Sequence, residues 1–356
     1  MNLLDDINNL KKIDKSDALG SIEALPKQIR NVFNDFNKAA VLQRMTGFKK
    51  IALAGMGGSA LAGRIVRFLY QDELKFPFQI ITEYDLPNHI DHDTFLIISS
   101  YSGNTEETLS CLEQAKQKKA KSFAITTDGK IGQMIESHKQ DGFIYHPRYN
   151  PLGYPKTAVG YSLGSLLAVF SHLNLINLST DLLNKALAEF EAVQMKFFPQ
   201  APTVENPAKK LALEFKGLVP FLISSQHLNG ATFTFRTQLN EIAHTNAHFY
   251  DLPEMNHHLV EAFGKPEMFI KHMVYLMIVS SDYHPRNQKR YQATQKVLNQ
   301  FKIKNLAYEM RSESKLAQVL ELVNLGGFTS AYLSIANHED PGPEDWIIYL
   351  KKALKG

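Results

Sequence analysis

Residues 94–109, TFLIISSYSGNTEETL, decide the fold. Phe95, Leu96, Ile97 and Ile98 make the unbroken apolar run that a fully buried strand requires. The run stops at Ser99, Ser100, Tyr101, Ser102, Gly103, Asn104 and Thr105, and a helical pattern starts at once, with Glu106 and Glu107 in its first turn. A strand that ends in such a turn and opens a helix gathers unpaired N–H groups and a partial positive charge at one point. The hydroxyls add donors, so the turn suits an anion held without a metal. An ordinary strand–turn–helix with Thr105 as its N-cap would carry the same letters.

Residues 50–62, KIALAGMGGSALA, repeat the pattern. Ile51, Ala52, Leu53 and Ala54 run into Gly55, Met56, Gly57, Gly58 and Ser59, and a helix follows. Glycines there permit positive φ and close backbone approach to a ligand. Two such turns after two strands fit a doubly wound parallel sheet, which takes its ligand at the carboxyl ends of its strands. A small sugar phosphate is the ligand expected.

The chain has 356 residues, which suggests two domains. At 44% hydrophobic it can bury a substantial core, and with 21% charged residues and a net charge of +3 it gives no reason to expect nucleic acid or an anionic membrane as partner. The single cysteine, Cys111, excludes an intrachain disulfide and points to a reducing compartment. The N-terminal residues lack the apolar core and cleavage site of a signal peptide, and no run approaches the length of a membrane span. A cytoplasmic protein is expected.

In chain order, residues 1–48 read as two or three helices broken near Gly20 and Pro26. Strands at 49–54, 78–82, 94–99, 122–127 and 143–145 alternate with helices, which argues for βαβ units and a parallel sheet. The loop 146–156, HPRYNPLGYPK, carries three prolines and contains Arg148. A helix to about Leu173 follows, and 175–208 reads as a helical linker. The second half repeats the logic more faintly, with strands at 218–224, 247–250, within 269–280 and at 306–309, and a last helix at 344–354.

Residues 236–263, RTQLNEIAHTNAHFYDLPEMNHHLVEAF, are dense in side chains that do chemistry. A carboxylate beside a histidine can move protons once its surroundings bring it toward neutrality. His244 and His248 stand four apart, a spacing that can serve a metal, but a strand begins near Ala247 and no zincin-type carboxylate accompanies them. Each is read as a hydrogen-bonded structural histidine, and no metal is expected. Alone, Arg148 reads as a surface arginine, and Lys351, Lys352 and Lys355 as lysines that favour a helix dipole.

The pairing of GMGGSALAG (55–63) with SSYSGNTEET (99–108) resembles the sugar isomerase (SIS) domain. RTQLNE (236–241) and PEMNHHLVEAF (253–263) are similar to a narrower group, the bifunctional phosphoglucose/phosphomannose isomerases. The resemblance runs from about residue 50 to the end. It implies an α/β chain of two SIS-type doubly wound domains, each with a mostly parallel five-stranded sheet flanked by helices. The division expected is a helical segment 1–48, a first SIS domain 49–174, a linker 175–208 and a second SIS domain 209–356.

The resemblance also implies roles. Gly57, Gly58, Ser59, Ser100, Ser102 and Thr105 would hold the phosphate. Glu241 would move a proton between C1 and C2. His257, from its own or a neighbouring subunit, would help open the sugar ring. Lys351, or Lys352 one residue on, would act at the same step, and Arg148 would stabilise the enediolate. The implied reaction interconverts fructose 6-phosphate with glucose 6-phosphate or mannose 6-phosphate. Its chemistry needs a base and positive charge near a developing oxyanion, and no cofactor. A site completed by two subunits implies a homodimer.

The chain departs from the group's pattern at Ala60, at His258 and Leu259 beside His257, and at Ala262–Phe263 where Gly-Trp is usual. DPGPEDW (340–346) lacks the expected threonine. Another SIS isomerase or deaminase, and a non-catalytic phosphosugar sensor, remain alternatives. Glu241 together with His257 favours an enzyme.

Overall fold

The computed structural model describes residues 3–37, 42 and 45–354, and Lys355 lies outside them. The chain opens with α1 (Ile7–Ile13), α2 (Ala18–Glu23) and α3 (Leu25–Asn37). Gly20 lies inside α2 rather than at a break, because the Asp17 side chain caps the helix by accepting from the Gly20 N–H at 3.2 Å. Pro26 stands in the first turn of α3, where a missing N–H costs nothing.

The first sheet comprises β1 (Lys50–Gly55), β2 (Phe78–Ile81), β3 (Thr94–Ser100), β4 (Lys121–Thr126) and β5 (Gly142–Ile144). They are all parallel, in the order β2-β1-β3-β4-β5. Between them run α4 (Gly58–Leu69), α5 (Glu106–Gln117) and α6 (Gly129–Glu136), and α7 (Val159–His172) follows. Alternate residues face opposite ways along a strand. Ala52, Ala54, Leu96 and Ile98 therefore bury against Cys111, Leu112 and Ile131 of α5 and α6. Ile51, Leu53, Phe95 and Ile97 join the larger core with Val66 of α4 and Val169 of α7. Every residue of β3 is buried, which is why its sequence shows no alternation.

α8 (Thr180–Gln194) and α9 (Pro207–Phe215) lead to the second sheet. Far from hanging free, the 175–208 stretch buries Phe190 and Phe197 in the larger core. The second sheet holds β6 (Val219–Ser225), β7 (His248–Leu252), β8 (Met273–Val279) and β9 (Lys304–Glu309), with α10 (Asn229–Glu241) after β6 and α11 (Pro285–Gln300) after β8. All pairs are parallel, in the order β7-β6-β8-β9. This reproduces the order of the first four strands in the other sheet, a match that the faint repeat in sequence did not settle. A fifth strand was expected here, but four are present among the described residues. After β9 the chain enters α12 (Lys315–Ala336), where every residue from Leu316 on is buried. α12 is long and apolar enough to cross a membrane by length and composition, yet it serves as the central helix against α8, α9 and α10. α13 (Asp345–Ala353) ends the described chain.

Candidate active site

In the first sheet β1 and β3 are neighbours, with Gly55 level with Ser99. The strand order reverses between them, so their carboxyl ends flank the crevice where such sheets take ligands. Both anion turns of the sequence lie there. Gly57 precedes α4 at φ +48°, exposed, with open space where a Cβ would stand. Neither α4 nor α5 has a side-chain cap. In α4 the Ser59 and Ala60 N–H groups already donate to the Met56 and Gly57 carbonyls at 3.0 Å, so the uncapped first turn of α5 is the freer donor set for a ligand. Ser59 is buried and its Oγ accepts from the Tyr101 N–H at 3.1 Å, which ties one turn to the other. The Ser100 hydroxyl donates to Thr105 Oγ1 and accepts from the Gly103 N–H, each at 3.1 Å. Ser102 is exposed, and its Oγ accepts from the Asn104 N–H at 3.3 Å. Gly103 sits at φ +63°, with the Asp128 carbonyl 1.8 Å from where a Cβ would be, so only glycine fits.

The equivalent crevice of the second sheet is filled by the chain's own side chains. Ser225 Oγ donates to the Leu252 carbonyl and accepts from Asn287 Nδ2, both at 2.8 Å. Ser280 Oγ donates to Gln318 Oε1 at 2.8 Å, and His227 Nε2 lies 2.9 Å from that same oxygen. The open anion crevice is therefore the first.

The loop before α7 joins that crevice to α10. A Cβ on Gly58 would stand 3.0 Å from the Pro155 carbonyl oxygen, so the loop abuts the start of α4. The next residue, Lys156, is buried, and its Nζ donates to the Glu241 carbonyl at 3.1 Å and the Pro343 carbonyl at 3.4 Å. Its ammonium lies 3.8 Å from Glu344 Oε1. Burial pulls its proton affinity down, against Glu344, Glu241 and Asp340.

Glu241 is the last residue of α10 and is only partly open to solvent. Burial, and then the neighbouring Glu344 carboxylate, push its pKa up to about 7, against the pull of Lys156, Arg236 and Lys351. A carboxyl poised there can both take and return a proton near neutral pH. Lys351 is the lysine of α13 whose charge acts on it.

A family model described as the bacterial phospho-glucose isomerase C-terminal SIS domain matches residues 204–354, and the SIS domain model matches residues 45–134. A relative from Caldicellulosiruptor bescii, named bifunctional phosphoglucose/phosphomannose isomerase, is 31% identical over 94% of this chain and 98% of its own. The chain belongs to the bifunctional phosphoglucose/phosphomannose isomerase family. A relative of the same name from Aquifex aeolicus is 29% identical over 94% of this chain and 99% of its own. Among solved structures, tagatose-6-phosphate ketose/aldose isomerase from Escherichia coli superposes with a TM-score of 0.69 at 16% identity, covering 91% of this chain and 94% of that one, a likeness of fold.

Within this isomerase fold the remaining residues singled out in the sequence make no hydrogen bond or ion pair with the Glu241 carboxyl among the described residues. His257 ends a 3₁₀ turn, Glu254–His257, and is exposed. Its neighbours hold that turn to α11: Met255 is buried, and Asn256 Nδ2 donates to Thr294 Oγ1 at 2.9 Å. Arg148 is exposed, and the cation against the end of α10 is Lys156, eight residues later. The loop turns between them, with the Tyr149 N–H donating to Tyr161 Oη at 2.8 Å and the Thr157 hydroxyl to Asn150 Oδ1 at 2.7 Å. His244 and His248 do not share a helix face. His244 has left α10 at φ +48°, with Nδ1 3.3 Å from Glu339 Oε2, while His248 begins β7 and stacks on Phe221. Reading the sequence missed Lys156 and Glu344. Lys156 lies in a proline-rich loop that reads as surface, and nothing local to Glu344 signals its burial against a lysine so distant in sequence.

Proposed function

We propose that this chain interconverts fructose 6-phosphate with glucose 6-phosphate and mannose 6-phosphate by proton transfer through an enediolate. The observation that carries this is Glu241, a carboxyl brought to about 7 and joined through Lys156 and Pro155 to the start of α4. In this reading Gly57, Gly58, Ser59, Ser100, Ser102 and Thr105 form the phosphate site, and binding there positions the reacting carbons. Glu241 takes the proton from one carbon and returns it to the next. Lys351 offers positive charge to the oxygens that become anionic. Arg148, exposed on its loop, is not used in this scheme.

The working unit is a homodimer in which His257 of one copy meets the sugar ring at the Glu241 of the other. Two features support it. His257 is exposed and has no contact with Glu241 within its own chain among the described residues. α13 presents Trp346, Tyr349 and Leu350 outward, followed by exposed Leu354, with Trp346 80% exposed. The two separate sheets support a division into SIS domains at 49–174 and 209–356. A cytoplasmic location fits a lone buried thiol at Cys111. The test is Glu241→Gln assayed with fructose 6-phosphate. Turnover should vanish while fructose 6-phosphate still raises the melting temperature, and wild-type turnover would refute the assignment.

A further inference from the structure

We propose that Lys156 and Glu344 form a buried clasp that positions the C-terminal segment over Glu241 and sets the pH range in which Glu241 works. The inference rests on the reading of Glu241 as the base. The side chains are 1% and 8% exposed, which a lone lysine or glutamate would not sustain. Lys156 Nζ faces three oxygens, the carbonyls of Glu241 and Pro343 and the carboxylate of Glu344. Two of its protons are committed to carbonyls and its charge faces Glu344 at ion-pair distance, so this buried lysine is a positioning residue.

What the clasp holds is otherwise weakly held. α13 has no buried residue of its own. Its approach is fixed by buried Pro341 and Gly342, by His244, whose Nε2 lies 3.3 Å from the Pro343 carbonyl, and by Lys156. Lys351 rides on that helix, so the distance from its ammonium to Glu241 depends on the same anchor. The clasp also joins three separate pieces of chain: the loop against the first anion turn, the end of α10 and the entry to α13.

The electrostatics give the clasp a signature that a purely mechanical support lacks. Glu241 is faced by Glu344, Lys156, Arg236 and Lys351. Glu344 favours its protonated form and Lys156 its ionised form, so removing either charge moves Glu241 in opposite directions.

The test is the pH dependence of kcat/KM for fructose 6-phosphate in Glu344→Gln, Lys156→Met and the double variant, with thermal melts confirming folding. Glu344→Gln should move the acid limb to lower pH by about half a unit or more, and Lys156→Met to higher pH. The double variant should return toward wild type. KM should change less than kcat, since the phosphate turns are untouched. Glu344→Gln is isosteric and keeps the test decisive if Lys156→Met does not fold. Limbs unmoved in a folded Glu344→Gln enzyme overturn the clasp. Glu241→Gln runs in parallel: turnover surviving there overturns the assignment of the base instead, so the two failures are told apart.

Discussion

Lys156 Nζ lies 3.1 Å from the carbonyl oxygen of Glu241, so the loop that abuts the first anion turn also holds the end of the helix that carries the proposed base. The proposed phosphate and proton-transfer ends of the site are thus built from different halves of the chain, and Lys156 is one link between them beside the direct packing of α10 on α4.

The raised proton affinity of Glu241 has a cost in stability. Its folded pKa, about 7, stands above the ordinary glutamate value of 4.5. The folded state therefore binds the proton more tightly than the unfolded state, and stability falls as pH rises from 4.5 to 7. Glu241→Gln should remove the penalty. It should add on the order of 3 kcal/mol of stability at pH 8, seen as a higher melting temperature, and leave stability nearly unchanged at pH 4. A variant no more stable than wild type at pH 8 would show that the carboxyl is not strained by burial.

Gly103→Ala should damage the phosphate site. The new Cβ would meet the Asp128 carbonyl, and φ +63° disfavours any side chain. The turn must shift, and KM for fructose 6-phosphate should rise about tenfold or more, consistent with the cost of a strained backbone position. Steady-state kinetics on a variant that still melts cooperatively decide this, and an unchanged KM would remove the turn from the binding site.

The two-copy site predicts complementation. Glu241→Gln and His257→Ala homodimers should each be inactive. Unfolded together and refolded, they should regain about a quarter of wild-type activity, because half the dimers are hybrids with one intact site each. Absence of recovery, with mixed dimers verified by mass, would place His257 in its own chain's site or outside catalysis.

Cys111 should be inert. Burial, then Asp85 and Glu107, raise its pKa to about 11, and its thiol donates to the Glu83 carbonyl at 3.4 Å. A maleimide should label it only on unfolding, so rapid labelling of the native enzyme would contradict its placement on the buried face of α5.

The parallel strands of the first sheet and its two anion turns were legible because their signals are local: an apolar run, a glycine or serine turn, and a helix start lie within a few residues of one another. Glu241 and His257 were found only by their resemblance to a known pattern. The burial that gives Glu241 its pKa comes from chain far away in sequence, which no local pattern encodes. The same holds for Lys156 and Glu344, whose partners are 85 and 187 residues from the lysine or more. Arg148 reads by itself as a surface arginine and is exposed in the structure; its role in the site came only from the resemblance.

The most direct test of the central claim is incubation of the purified enzyme with fructose 6-phosphate in deuterated water, with products followed by NMR. Proton transfer through an enediolate predicts glucose 6-phosphate and mannose 6-phosphate that gain deuterium at C2 as incubation proceeds. Neither product, or products that never acquire deuterium, would contradict it.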